Sequence, residues 1–242
     1  FLWDEAWFAF ARFSSIMRKR TSMYVADKLH KKYRTEEYKV AYEAHIAALK
    51  EGEYPRMPDP AKVRIRAYAT QSTHKTLSSM RQGSMIHIWD EDFKRKSEAA
   101  FHEAYMTHTS TSANYQILGS LDIGRRQVQF EGYELVEKAI ELGMMLRRTI
   151  RENPKLLKWF DIITIAQLIP KEHRESGIEG YYSRESGWND IEKAWAEDEF
   201  ALDPTKINLF TGRTGIDGDT FKNKYLMDKY SIQVNKTSRN SV

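Results

Sequence analysis

A chain of 242 residues, 41% hydrophobic and 30% charged, can bury a substantial core without a disulfide or metal staple. It has no cysteine, which excludes thiol nucleophiles, cysteine-based zinc sites and disulfide frameworks. The net charge of +4 is modest and local, in Arg18-Lys19-Arg20 and Lys28 to Arg34 with carboxylates nearby, so a solvated helix face is expected there and no nucleic acid. No apolar run approaches the ~20 residues that cross a bilayer, and no membrane partner is expected. The chain opens on Phe1-Leu2-Trp3 without a starting Met or secretory pattern, and reads as an internal piece of a longer cytoplasmic polypeptide.

In chain order, residues 1–13 are aromatic-rich and suit the end of a buried strand entering a loop. Residues 22–52 carry a helical pattern, capped by Ser22 and ended by Gly52. Pro55, Pro58 and Pro60 then make a stiff connector, so that 22–60 reads as a surface insertion. Residues 63–69 alternate at period two and predict a strand, with a second at 84–89. Helices are expected at 92–106, 112–128 and 134–151, the last with Leu135, Ala139, Leu142, Leu146 and Ile150 as its apolar stripe. The Met144-Met145 pair on its flank suits core filler. Beyond Pro154, residues 159–165 and 205–210 suit strands, and 219–230 a helix capped by the turn at 215–219 and leading to a strand from 231. Strand, helix and strand in this order predict an α/β or α+β layer.

Three clusters could carry chemistry. Ser72-Thr73-His74-Lys75 places a lysine in a polar turn at a strand end. Desolvation there would free its amine to attack a carbonyl, and the hydroxyls and imidazole suit a phosphate. On these four residues alone, a solvated loop lysine is the simpler reading. Asp4-Glu5-Ala6-Trp7 sets a carboxylate among aromatics, where it must find a partner if buried. A pyridinium N–H would serve, and an exposed strand end is the alternative. Thr107-His108-Thr109-Ser110-Thr111-Ser112 precedes a helix and could hold an anion, although capping by Ser112 or Thr111 explains one hydroxyl equally well.

Together and in this order the clusters resemble the pyridoxal-phosphate enzymes of fold type I, the aspartate aminotransferase class. The longer runs Tyr68 to Leu77, Gln82 to His87, Phe101 to Ser112 and Leu202 to Ile207 are similar to the bacterial ornithine/lysine/arginine decarboxylase family. The resemblance implies an α/β fold: the C-terminal part of the cofactor domain over 1–128, with 22–60 inserted, then part of a smaller α+β domain over 129–242. It implies that Lys75 carries pyridoxal 5'-phosphate as a Schiff base. Asp4 would pair with the ring nitrogen, Ala6 would pack on the ring, and Trp7 would lie near the cofactor oxygen. Ser72 and His74 would contact phosphate, His74 would also return a proton, and Ser110 would reach the phosphate of a partner subunit. A basic amino-acid substrate, arginine by a lean from the insertion and the 209–218 region, and a homodimer or higher oligomer with the active site at the interface complete the expectation; no metal is implied. Transamination on the same scaffold and a silent paralogue are the alternatives. Two departures stand out. The 22–60 segment separates Asp4 widely from Lys75, and the family's phosphate loop and ring-stacking aromatic would precede Phe1.

Overall fold

The two longest strands are β2 (Arg66–Gln71), whose burial alternates, and β3 (Met85–Asp90), in a computed structural model that describes residues 1–185 and 189–242. They pair antiparallel from Arg66↔Asp90 to Gln71↔Met85. On the other side of β2 lies β1 (Leu2–Asp4), parallel to it, with Asp4 opposite Thr70. Strand β2 starts at Arg66 and not at 63 because Glu91 takes the backbone of Ile65: its carboxylate accepts from the Ile65 N–H at 2.6 Å, and its own N–H donates to the Ile65 carbonyl at 3.1 Å. The strand expected in 1–13 is short and exposed, and a 3-10 turn over Ala9–Phe13 follows it.

A parallel pair cannot be closed by a tight turn and needs a crossover. Two helices lie in the connection, α1 (Ser22–Lys32) and α2 (Glu36–Ala47), where a single helix was expected. The break has a local cause: Thr35 caps α2, its hydroxyl accepting from Tyr38 N, with Glu36 and Glu37 in the first turn. Nor is α1 merely surface. Ala26 is buried against Ile65 and Ala67, with Met23, Leu29, Tyr33, Val63 and Trp89 packed around them. Burying a residue such as Ile65 contributes about 1.5–3 kcal/mol.

After β2 comes the single turn α3 (Thr73–Thr76). Beyond β3 a wide π-type turn, Phe93–Ser97, leads into α4 (Glu98–His108). The helices expected at 112–128 and 134–151 are one, α5 (Tyr115–Glu152). Its start is capped by Asn114, whose side-chain oxygen accepts from Ile117 N at 3.1 Å, and not by Ser112 or Thr111. Two glycines let other segments approach α5. A Cβ on Gly132 would lie 2.7 Å from the Phe13 ring, and one on Gly124 would lie 1.7 Å from the carbonyl oxygen of Ser78. The Met80 N–H also donates to Ser120 Oγ at 3.0 Å, tying the segment after α3 to this helix.

The chain divides into two compact units, Phe1–Tyr133 and Glu134–Val242, and the division falls within α5. In the second unit the helix buries Val136, Ile140, Gly143, Arg147 and Ile150. The expected stripe is mostly off this face: Leu142 is 54% exposed, Leu135 and Leu146 are exposed too, and Met145, expected as core filler, is also exposed. The face is chosen by backbone contacts. A Cβ on Gly143 would lie 2.8 Å from the Pro204 carbonyl oxygen, and Arg147 donates to the carbonyls of Pro204 and Lys206 at 2.8 and 3.1 Å. Burial lowers the pKa of the Arg147 guanidinium.

The remaining elements are short: α6 (Pro154–Leu157), β4 (Asp161–Ile162), α7 (Ile165–Leu168), α8 (Asn189–Glu197) and β5 (Leu209–Phe210). Strands expected at 159–165 and 205–210 thus shrink to the antiparallel pair β4 and β5. The first is cut off by Thr164 and Gln167, whose capping box starts α7. Ile191, Ala194 and Trp195 anchor α8, and the Trp195 indole N–H donates to Tyr181 Oη at 3.1 Å. A helical run from α9 (Gly218–Thr220) through the π-type turn Phe221–Met227 to α10 (Asp228–Tyr230) starts on Asp217, which accepts from Thr220 N as expected. It stops at Ser231 in the left-handed region, and 231–234 form no strand. No helix among the described residues is long and apolar enough to cross a membrane.

A charge cluster anchors the opening end of β2. Asp92 is buried and accepts from Arg66 and, at 2.6 Å, from Arg95, with Lys96 at 3.7 Å. Hydrogen bonds from Arg95 and Arg66 hold its carboxyl well below the usual carboxylate range.

Two predictions follow from this packing. Gly119 has open space around it, so Gly119→Ala should raise unfolding stability by up to about 1 kcal/mol through helix propensity. Gly124→Ala should lower it despite the same propensity gain, and equal urea midpoints for the two variants would refute the close approach of Ser78. For Asp92, the folded pKa lies below the unfolded one, so its pairing stabilises the fold fully above about pH 4 and fades as pH falls through the depressed value. Asp92→Asn should therefore destabilise at neutral pH and flatten the loss of stability in acid, as read by urea unfolding across pH.

Candidate functional site

Parallel strands end on the same side of a sheet, and in open α/β sheets ligands bind beyond those carboxyl ends. Strand β1 ends at Asp4 and β2 at Gln71, with Asp4 opposite Thr70. The two sequence clusters 4–7 and 72–75 therefore emerge at one sheet end, although 22–60 intervene between them. Trp7 and Lys75 meet there: the Lys75 Nζ lies 5.3 Å from the centre of the Trp7 ring, within cation–π range.

Each residue of the turn has a definable state. Lys75 is exposed, and its backbone N–H donates to the Ser72 carbonyl at 3.0 Å. Ser72 sits extended at the start of α3 but its hydroxyl does not cap that turn. His74 Nδ1 lies 2.9 Å from the carbonyl oxygen of Gly83, which can only accept. The proton therefore sits on Nδ1, and Nε2 of the neutral ring is an acceptor. A contact from His74 Nε2 to phosphate thus requires the imidazolium form. Gly83 is held close: a Cβ there would lie 2.7 Å from Ser79 Oγ and 3.0 Å from Thr73 Oγ1.

Asp4 is exposed, with Oδ1 accepting from the Ala6 N–H at 2.9 Å; Ala6 is half-buried and Trp7 is 47% exposed. The buried carboxylate of this motif is its neighbour Glu5, at 3% exposure. Glu5 Oε1 accepts from Ser22 N at 2.6 Å and Oε2 from Gln71 Nε2 at 2.8 Å. Sequence reasoning looked past it because Asp4 occupied the motif. The available signal was His87, polar between the apolar Ile86 and Ile88 of β3. Ser110 is not brought to this group: its hydroxyl donates to the Ser112 carbonyl and accepts from Ser112 N, both at 3.1 Å, within its own exposed loop.

Beneath the turn is a cavity of about 450 Å3, lined by Glu5, Arg12, Thr73, Met85, His87 and Gly124 among others. The second unit has one of about 530 Å3 between Arg147, Asp161 and Tyr181, whose cations are already engaged: Arg151 pairs with Asp161 at 3.1 Å and Arg147 with two carbonyls. Burial pushes the Tyr181 phenol well above its ordinary pKa. Among the described residues no group of three or more His, Cys, Asp or Glu is placed to hold a metal ion.

The first group fits pyridoxal phosphate by its donor set. An amine for the aldehyde, a carboxylate for the ring N–H, a hydroxyl not spent on capping and an indole face lie at one sheet end.

Comparison with known proteins follows the same line. The family model described as Orn/Lys/Arg decarboxylase, major domain, matches residues 24–242. The lysine decarboxylase of Pseudomonas aeruginosa is 30% identical over 148 residues, which are 60% of this chain and 20% of that protein. The constitutive ornithine decarboxylase of Escherichia coli is 29% identical over 163 residues, 63% of this chain and 22% of that protein. The solved lysine decarboxylase of Francisella novicida shares the fold, with a TM-score of 0.60 and 24% identity over 99% of this chain and 28% of that one. The chain thus spans about a fifth to a quarter of the curated relatives it matches. With its family model covering nearly all of it and its fold shared end to end, the chain belongs to the Orn/Lys/Arg decarboxylase family.

Proposed function

We propose that the protein to which this chain belongs removes the carboxylate of a basic amino acid as CO2, using pyridoxal phosphate held by Lys75. The observation that carries this reading is the approach of Lys75 to Trp7 at the sheet end where Asp4 also emerges. Bound pyridoxal phosphate supplies a carbonyl that captures amines and a ring that takes up the electron pair left when CO2 departs.

The chain's own residues divide the remaining work. Lys75 offers the amine that holds the cofactor between turnovers. Asp4, at the end of β1, would keep a proton on the ring nitrogen, an electrostatic role fixed by strand register and not by a flexible loop. Ala6 would lie under the ring and Trp7 beside the Lys75 amine. Ser72 would donate its hydroxyl to the phosphate. His74, held by Gly83 through Nδ1, presents Nε2 for phosphate when protonated, or for delivery of a proton to the substrate α-carbon. Ser110 is separate from this group within one chain, as a contribution from a second subunit requires. A homodimer or larger oligomer with a shared site is therefore part of the proposal, as are a cytoplasmic setting and a cofactor-domain boundary at 128/129.

The substrate class has unequal support within it. Relatives at 30–32% identity are lysine decarboxylases and one at 29% acts on ornithine, by their names. The biodegradative arginine decarboxylase of Escherichia coli aligns over 89% of this chain but at 23% identity. This favours lysine or ornithine over the arginine lean drawn from the insertion and residues 209–218. These relatives are decarboxylases by name, which also favours loss of CO2 over transamination.

In the full-length protein, Lys75→Ala should abolish both turnover and the cofactor's visible absorbance; a surviving band would assign the cofactor to another lysine. Asp4→Ala should retain cofactor and lower kcat by about 100-fold or more, and undiminished turnover would remove its role. Incubation with lysine, ornithine and arginine separately should release CO2 and one amine, whereas keto-acid formation without CO2 would replace decarboxylation by transamination.

A further inference from the structure

Glu5 stands at the head of a hydrogen-bonded chain that no role in the reaction explains. It is buried at 3%, beside the exposed Asp4. Its carboxylate accepts from Ser22 N at 2.6 Å, at the first turn of α1, where unpaired N–H groups and the helix dipole favour an anion. The other oxygen accepts from Gln71 Nε2 at 2.8 Å. A carboxylate cannot donate, so the Gln71 amide must present its NH2 to Glu5 and its oxygen to His87, 3.0 Å from Nε2. His87 must then carry its proton on Nε2. One charge thus sets the polarity of a chain that crosses from α1 through the end of β2 to β3. The backbone adds a further tie, the Glu5 N–H donating to the Thr70 carbonyl at 3.0 Å.

We propose that Glu5 is a positioning residue of the cofactor site, clamping the strand end that carries Asp4 to the strand end that carries Ser72, His74 and Lys75. Each end of the clamp is adjacent in sequence to the group it places: Glu5 follows Asp4, and Gln71 precedes Ser72. The third tie, to Ser22, fixes both to α1, so the segment that separates the two halves of the site in sequence also holds them together in space. Removing the acceptor leaves the buried Ser22 N–H and the half-buried Gln71 amide without the partner that joins them, and the two strand ends lose their side-chain tie. This inference rests on the cofactor reading above, but it concerns alignment and not the chemistry itself.

The test uses the full-length protein, pyridoxal phosphate titrated by its visible absorbance, and thermal unfolding without cofactor. Glu5→Ala should weaken cofactor binding by roughly tenfold or more, the size set by one buried and one half-buried donor left without their acceptor, and lower kcat with little change in KM. Glu5→Gln should restore most of the affinity, because a flipped Gln71 amide and the other His87 tautomer rebuild the chain with reversed polarity. Gln71→Met, which keeps the volume and removes the donor, should match Glu5→Ala and decides the matter if the latter does not fold. Wild-type affinity in Glu5→Ala or Gln71→Met, with or without a lowered melting temperature, would overturn the inference and leave a structural role only. An absent Lys75-dependent band in the wild-type protein would instead overturn the cofactor reading, and this inference with it.

Discussion

The parallel pairing of β1 with β2 is the constraint on which the first unit depends. Parallel strands share a carboxyl end, so residues distant in sequence leave the sheet side by side, here Asp4 next to Thr70. The same geometry requires a long connection, and α1 fills it by burying Ala26 on the face formed by Ile65 and Ala67. The inserted segment is therefore not an interruption of the site: without a crossover layer, β1 could not lie parallel to β2. Glu5 joins the layers at the sheet end, and Glu91 joins them again at the start of β2, where it meets Ile65, His30 and Arg34.

Charge is segregated along β2. Arg66, Asp90 and Asp92 gather at its opening end, where a carboxylate buried with two guanidiniums is structural. Lys75, which emerges at the closing end, is exposed and faces an indole ring, and among the described residues no salt bridge to it is found. A lysine left out of ion pairs is available for covalent chemistry, whereas one locked to an acid is not. The separation lets the fold be stabilised electrostatically at one end without neutralising the amine at the other.

Glycines decide how α5 is used. Gly124 and Gly132 admit the Ser78 carbonyl and the Phe13 ring in the first unit, and Gly143 admits the Pro204 carbonyl in the second. In each case the helix gives up side-chain volume and helix propensity for close backbone or ring approach. Arg147 then satisfies the carbonyls brought in, which is why a charged residue occupies a buried face that apolar periodicity assigned elsewhere.

The lysine turn, the acidic motif and the two main strands were legible in the sequence, because period-two alternation and short motifs are local properties of the chain. The family followed from those motifs in order. What the sequence could not decide was anything set by a distant partner: that Thr35 splits the first helix is local and was missed, but the close approach of the Phe13 ring to Gly132 of α5 joins residues far apart in the chain. The buried face of α5 depends on carbonyls of Pro204 and Lys206, which carry no hydrophobic signature. The exchange of roles between Asp4 and Glu5, one exposed and one buried, was likewise beyond the sequence, since burial of a carboxylate is decided by donors from Ser22 and Gln71. The residues of the turn that carry Lys75 were thus written in the chain, and their alignment with Asp4 was left to tertiary hydrogen bonds.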